Sequence, residues 1–135
     1  MTIRATRSTR EVLQRHLACF GAGDLDGIMA DYVTDAVLFL PDGPRKGTSD
    51  IRRHFEGAFA EFAKPGASFA MLHESVEGDC AYIVWSAETA DNVYELATDT
   101  FVVRDGRIVA QTFAGKVTPK AGVTVREGPG RAPAR

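Results

Sequence analysis

The chain has 135 residues, of which 44% are hydrophobic and 25% charged. That is the makeup of one globular domain able to bury a core without a metal or a disulfide framework. Sixteen basic and 18 acidic residues leave a net charge of −2. Outside the two termini the signs are interspersed rather than massed, which argues against nucleic acid as a partner. The apolar runs are far shorter than the roughly 18 residues that a membrane span requires. Cys19 and Cys80 lack metal or redox spacing and read as small buried hydrophobes, and a cytoplasmic location is expected.

Near the start, Ser8-Thr9-Arg10-Glu11 has the capping-box pattern. Val12, Leu13, His16, Leu17 and Phe20 then fall on one stripe of a first helix that Gly21-Ala22-Gly23 ends. Asp24 can cap a second, shorter helix through about Tyr32. Ala36 to Leu40 reads as a brief strand, and Pro41-Asp42-Gly43-Pro44 as a loop. Ser49 or Asp50 is placed to cap a third helix with Ile51, Phe55, Ala58, Phe59 and Phe62 inward, stopped at Lys64-Pro65-Gly66.

Beyond Ala67 the period becomes that of strands, with turn signals at Gly78-Asp79, Asp91-Asn92 and Asp105-Gly106. These predict an antiparallel meander of four long strands, 68–77, 80–89, 93–104 and 107–117. Helices first and strands second make the class α+β. The order is expected over about 8–118, and the Gly-, Pro- and Arg-rich remainder from 119 to 135 reads as a flexible tail.

Two residues stand out against their surroundings. On the third long strand Asp99 shares a face with Ala97, Phe101 and Val103, and a carboxyl among apolar neighbours is driven toward its neutral form unless it is solvated or bonded to a backbone amide. His16 lies on the inner stripe of the first helix, where a histidine is by default a core residue bonded to a carbonyl or carboxylate. His73, with Phe69, Met71 and Ser75, is a weaker inward candidate, whereas His54 beside Arg52 and Arg53 reads as surface. The histidines have no metal-ligand spacing, and no phosphate loop or nucleophile elbow is present, so no metal and no cofactor are expected.

Three segments, QRHLACFGAGDLDGIMADYVTDAV (14–37), GPRKGTSDIRRHF (43–55) and TDTFVVRDGRIVAQTFAG (98–115), resemble the SnoaL-like and ketosteroid isomerase-like proteins of the nuclear transport factor 2-like superfamily. The resemblance implies a single domain over 1–135. Its fold would be three N-terminal helices packed in the concave face of a strongly curved, mainly antiparallel sheet, a cone enclosing one apolar pocket. Carried over residue by residue, the isomerases' protonated strand aspartate falls at Asp99, their helix tyrosine at His16 and their base at Leu40. Leucine accepts no proton, so this is not expected to be a standard ketosteroid isomerase; Asp42 in the following loop is a weak substitute.

By the same correspondence His16 and Asp99 face each other across the pocket as an acid and base pair. Phe20, Tyr32, Leu40, Phe55, Tyr82, Val84, Phe101 and Gln111 would line it around a hydrophobic small molecule. Trp85, with Ile83 and Ala87, would lie on the opposite sheet face in a homodimer interface. Two functions follow: a cofactor-free isomerase, dehydratase or cyclase working through His16 and Asp99, or a non-catalytic binding or dimeric module with a degenerate pocket.

Overall fold

The computed structural model describes residues 6–120, so the expectation for the tail lies, apart from its first two residues, outside them. The Ser8 hydroxyl and the Glu11 carboxylate close the expected capping box, and α1 runs Thr9–Ala22 to a left-handed Gly23. Removing the hydroxyl with Ser8→Ala should cost about 1 kcal/mol of stability, measured by urea unfolding. Asp24 caps α2 (Leu25–Met29) by accepting from the Gly27 amide. A β-carbon at Gly27 would collide with that carboxyl and with Cys19 Sγ, so this glycine lets the cap form. The helix ends sooner than expected, and Tyr32 instead begins β1 (Tyr32–Leu40).

The second half of the proline-bounded segment expected to be a loop is instead the start of β2 (Gly43–Lys46), antiparallel to β1 and at the sheet edge, where Pro44 is tolerated. It feeds α3 (Gly47–Ala63) through Gly47 at φ 84, with Lys46 rather than Ser49 or Asp50 as the cap residue and no side-chain cap bond. The meander of β3 (Ser68–Glu77), β4 (Cys80–Glu88), β5 (Asn92–Arg104) and β6 (Arg107–Pro119) is as expected. The sheet order is β2-β1-β6-β5-β4-β3, and β1 joins β6 in parallel, so two segments far apart in sequence become neighbours.

The helices cover one side of this curved sheet, and the core lies between the layers: Val12 and Leu13 of α1, Ile28 of α2, Ile51 and Phe55 of α3, and Leu38, Ile83, Phe101, Val103 and Ile108 of the sheet. Arg7 and Arg15 donate to the buried Asp31 carboxylate at 3.1 and 2.9 Å, which ties the start of the chain and α1 to the segment before β1. Cys19 is buried as expected, whereas Cys80, first residue of β4, is exposed. Among the described residues no helix is long and apolar enough to cross a membrane.

Candidate active site

Between α1, α3 and the inner sheet face lies a cavity of about 680 Å³. Its wall is mostly aromatic and aliphatic: Phe20 of α1, Phe55, Phe59 and Phe62 of α3, and Leu38, Ile83, Phe101 and Phe113 of the sheet. This size suits a small organic ligand. The polar groups are few, and two of them, Trp85 and Gln111, meet Asp99.

From Ala97 onward the expected face of β5 holds: Ala97, Asp99, Phe101 and Val103 are all buried, whereas Glu95 is exposed. Ile83 of β4 lies opposite Asp99 in the register, and Trp85 opposite Ala97. That register decides which face of β4 looks inward. Residues opposite one another in an antiparallel pair share a face, and side chains alternate along each strand, so Ala81, Ile83 and Trp85 turn into the cone. Trp85 is therefore not on an outer dimer face; its indole Nε1 donates to Asp99 Oδ1 at 2.8 Å. By the same rule Tyr82 and Val84 do not line the cavity, and Tyr82 is 41% exposed.

The other carboxylate oxygen, Oδ2, accepts from Gln111 Nε2 at 2.8 Å, and Gln111 Oε1 accepts from the Tyr32 hydroxyl. Tyr32 is buried at the start of β1 behind Gln111 and does not itself line the cavity. Burial raises the Asp99 pKa to about 6, while the two donors pull it back by favouring the anion. A carboxyl so poised exchanges a proton near neutral pH.

His16 enters the cavity as expected but does not pair with Asp99. Both carboxylate oxygens already face donors from the sheet, and the imidazole makes no hydrogen bond to them. Its ring packs edge-on to Phe101 at 4.8 Å, Phe55 at 5.8 Å and Tyr32 at 6.3 Å between centroids. Nδ1 is buried without a partner, and with no charge beside it, desolvation lowers the His16 pKa to about 3. At neutral pH the imidazole is uncharged, so one ring nitrogen carries a hydrogen and the other a lone pair. It can bond a ligand, but it is no reservoir for a proton.

Phe20, Phe55, Phe101 and Gln111 line the cavity as expected. Leu40, half-buried at the end of β1, packs against the core outside the lining, and the inward residue of that strand is Leu38. Asp42 sits in the exposed turn after β1, paired with Arg45 at 3.2 Å. His73 is turned to the exposed side by a bulge between Met71 and His73, and its Nε2 meets Ser75 Oγ at 3.2 Å. Neither reaches the cavity.

Four polar residues, His54, Ser68, Trp85 and Tyr94, were missed as cavity groups. Trp85 could have been found, since Ala81, Ile83, Trp85 and Ala87 form the uniformly apolar alternation of β4, whereas the other face carries Ser86 and Glu88. Tyr94 alternates with Asp99 in the sequence, but a bulge between Tyr94 and Leu96 brings both inward; its hydroxyl donates to Glu61 Oε2 at 2.9 Å. Burial and the adjacent Glu61 charge raise the Tyr94 pKa, so it stays a phenol. His54, expected at the surface, lines the cavity from α3, and burial and Arg45 lower its pKa.

A family profile described as SnoaL-like domain matches residues 13–111. The chain belongs to the SnoaL-like family. Among solved structures, the epoxide hydrolase/cyclase-like enzyme SalBIII of pyran ring formation in the polyether salinomycin aligns with a TM-score of 0.71 at 16% identity, over 83% of this chain and 95% of that one. A candidate ketosteroid isomerase from Kribbella flavida aligns at 0.67 and 19% identity, over 96% and 93%. An NTF2-like protein of unknown function from Cytophaga hutchinsonii aligns at 0.69 and 11% identity, over 84% and 94%. At these identities the likeness establishes the cone fold that this SnoaL-like chain shares with them.

Proposed function

We propose that this SnoaL-like protein binds a hydrophobic, oxygen-bearing small molecule and moves a proton on it, as a cofactor-free isomerase, dehydratase or cyclase. The observation that carries this reading is Asp99, a buried carboxyl with a pKa of about 6, on the wall of an apolar cavity that, among the described residues, has no other carboxylate in its lining. Asp99 exchanges the proton, and neutral His16 bonds an oxygen of the ligand. The reading departs from a His and Asp pair in that one residue carries the proton change and the other stays uncharged. It also departs from the steroid isomerase scheme, because the strand position expected to hold the base is Leu40.

Work on SalBIII concerns ring formation, and the Kribbella protein bears an isomerase name, so apolar epoxides and β,γ-unsaturated ketones are the first probes. Native mass spectrometry of the freshly purified chain, followed by titration with these two classes, tests the reading. A retained or added apolar ligand whose binding displaces the Phe101 and Trp85 resonances is expected. Binding without any conversion would favour the second reading, a ligand-binding module; no binding of either class would sink both. The homodimer expectation passes to the outer sheet face, where Tyr82 and Leu96 are 41% and 49% exposed, and sedimentation at micromolar concentration should give twice the chain mass.

A further inference from the structure

Asp99 belongs to a chain of four side chains: Tyr32 donates to Gln111 Oε1, Gln111 Nε2 donates to Asp99 Oδ2 at 2.8 Å, and Trp85 Nε1 donates to Oδ1 at 2.8 Å. The Gln111 link has two possible senses, because a primary amide can be turned end over end with little change in shape. The sense decides what Asp99 can be. With NH₂ toward the carboxyl, the amide donates and favours the anion; with C=O toward it, only a protonated carboxyl can complete the bond.

Tyr32 removes the ambiguity. Its hydroxyl is buried, and Gln111 Oε1 is its acceptor. A turned amide would present NH₂ to the phenol and strand the phenol proton in the core, where an unmade hydrogen bond is costly. Burial first, and the Asp99 and Asp31 charges second, hold the Tyr32 pKa well above its ordinary value, so the hydroxyl keeps its proton. The other titratable groups facing the cavity are His16 of α1, His54 of α3 and Tyr94 of β5; no lysine, arginine or second carboxylate lines it among the described residues. The amide and the indole are thus the groups that hydrogen-bond the carboxylate against its desolvation.

We propose that Tyr32 and Gln111 form an orientation lock that keeps Asp99 a hydrogen-bond acceptor, and hence a base, inside an apolar cavity. The lock rests on the reading of Asp99 as the reacting group, but it is a property of the free protein. Tyr32 and Gln111 are positioning residues that act through Asp99. The test is therefore the titration of the Asp99 carboxyl carbon by NMR in the ligand-free full chain, assigned with Asp99→Asn.

Tyr32→Phe should raise the midpoint by roughly half a pH unit or more, because a freed amide spends part of its time turned. Gln111→Leu, which removes the donor, should raise it at least as far, and adding Tyr32→Phe to Gln111→Leu should change nothing further. A midpoint unmoved by Tyr32→Phe in a folded protein, or shifts that add in the double variant, would overturn the lock. If Tyr32→Phe does not fold, Gln111→Leu and Gln111→Met must both raise the midpoint, and failure of either to do so overturns it as well. A titration that behaves as expected in a protein that converts no substrate leaves the lock standing and removes the catalytic reading; the reverse result separates them the other way.

Discussion

A His16→Leu variant should gain on the parent by roughly 4 kcal/mol as the pH falls from 6.5 to 3, whatever constant offset the substitution itself brings. The native imidazole resists protonation until about pH 3, whereas in the unfolded chain it titrates near its ordinary 6.5. Through that window the unfolded state binds more protons, so stability rises with pH and is lost on acidification. Leucine has no such linkage. It also removes the orphaned Nδ1 from the core, which favours the variant at neutral pH too. Urea unfolding at half-unit pH intervals gives the difference curve. A flat curve would mean that the ring reaches a proton acceptor or water in solution, and the description of His16 as a neutral core group would fail.

Asp99 should show the mirror image. Its folded pKa of about 6 lies above its ordinary 3.8, so its contribution is fully present below 3.8 and is lost as pH rises through 6. The loss is on the order of 3 kcal/mol. Relative to the parent, Asp99→Asn should therefore lose roughly 2 kcal/mol of that between pH 6 and pH 4, in the same measurement. Between those limits the His16 and Asp99 slopes in the parent oppose each other and nearly cancel. The two single variants uncover them separately, with opposite signs.

The parts of the fold that were legible are those written in local chemistry. Ser8 and Glu11 announce α1, Asp24 caps α2, and the turn pairs at 78–79, 91–92 and 105–106 divide the long strands. Asp105 and Gly106 take positive φ of 51 and 74, the conformation that a tight hairpin between right-twisted strands requires. What escaped is non-local. The parallel junction of β1 with β6 has no signature in either strand, and β2 is four residues around a proline with no alternation to betray it.

The site divides along the same line. The inward placement of His16 and Asp99 followed from helical and strand periods, because burial of one face is what produces those periods. Their failure to meet could not follow, since contact between a helix and a sheet depends on packing distances that spacing does not contain. The bulges in β3 and β5 are equally silent, yet each inserts a residue that reverses the facing of its neighbours, turning His73 out and Tyr94 in. The facing of β4 was readable from its own apolar alternation, and the family correspondence pointed the other way.

For a substrate that the cavity converts, Asp99→Asn should lower kcat/KM by roughly 10²- to 10⁴-fold, the range that a positioned acid or base contributes. The amide keeps the size of the carboxyl but cannot exchange the proton, so binding of the same ligand should change far less than turnover. His16→Leu should cost less, because it removes a hydrogen bond to the ligand and no proton carrier. The pH profile then separates two roles for the carboxyl. If Asp99 accepts the proton, kcat/KM rises with pH through a midpoint near 6 and levels off above it, since the anion is the active form. If it donates, the limb near 6 descends. The two N–H donors on Asp99 favour the ascending limb. A profile with no limb near 6, together with an Asp99→Asn enzyme as fast as the parent, would remove Asp99 from the chemistry and leave the cavity as a binding site alone.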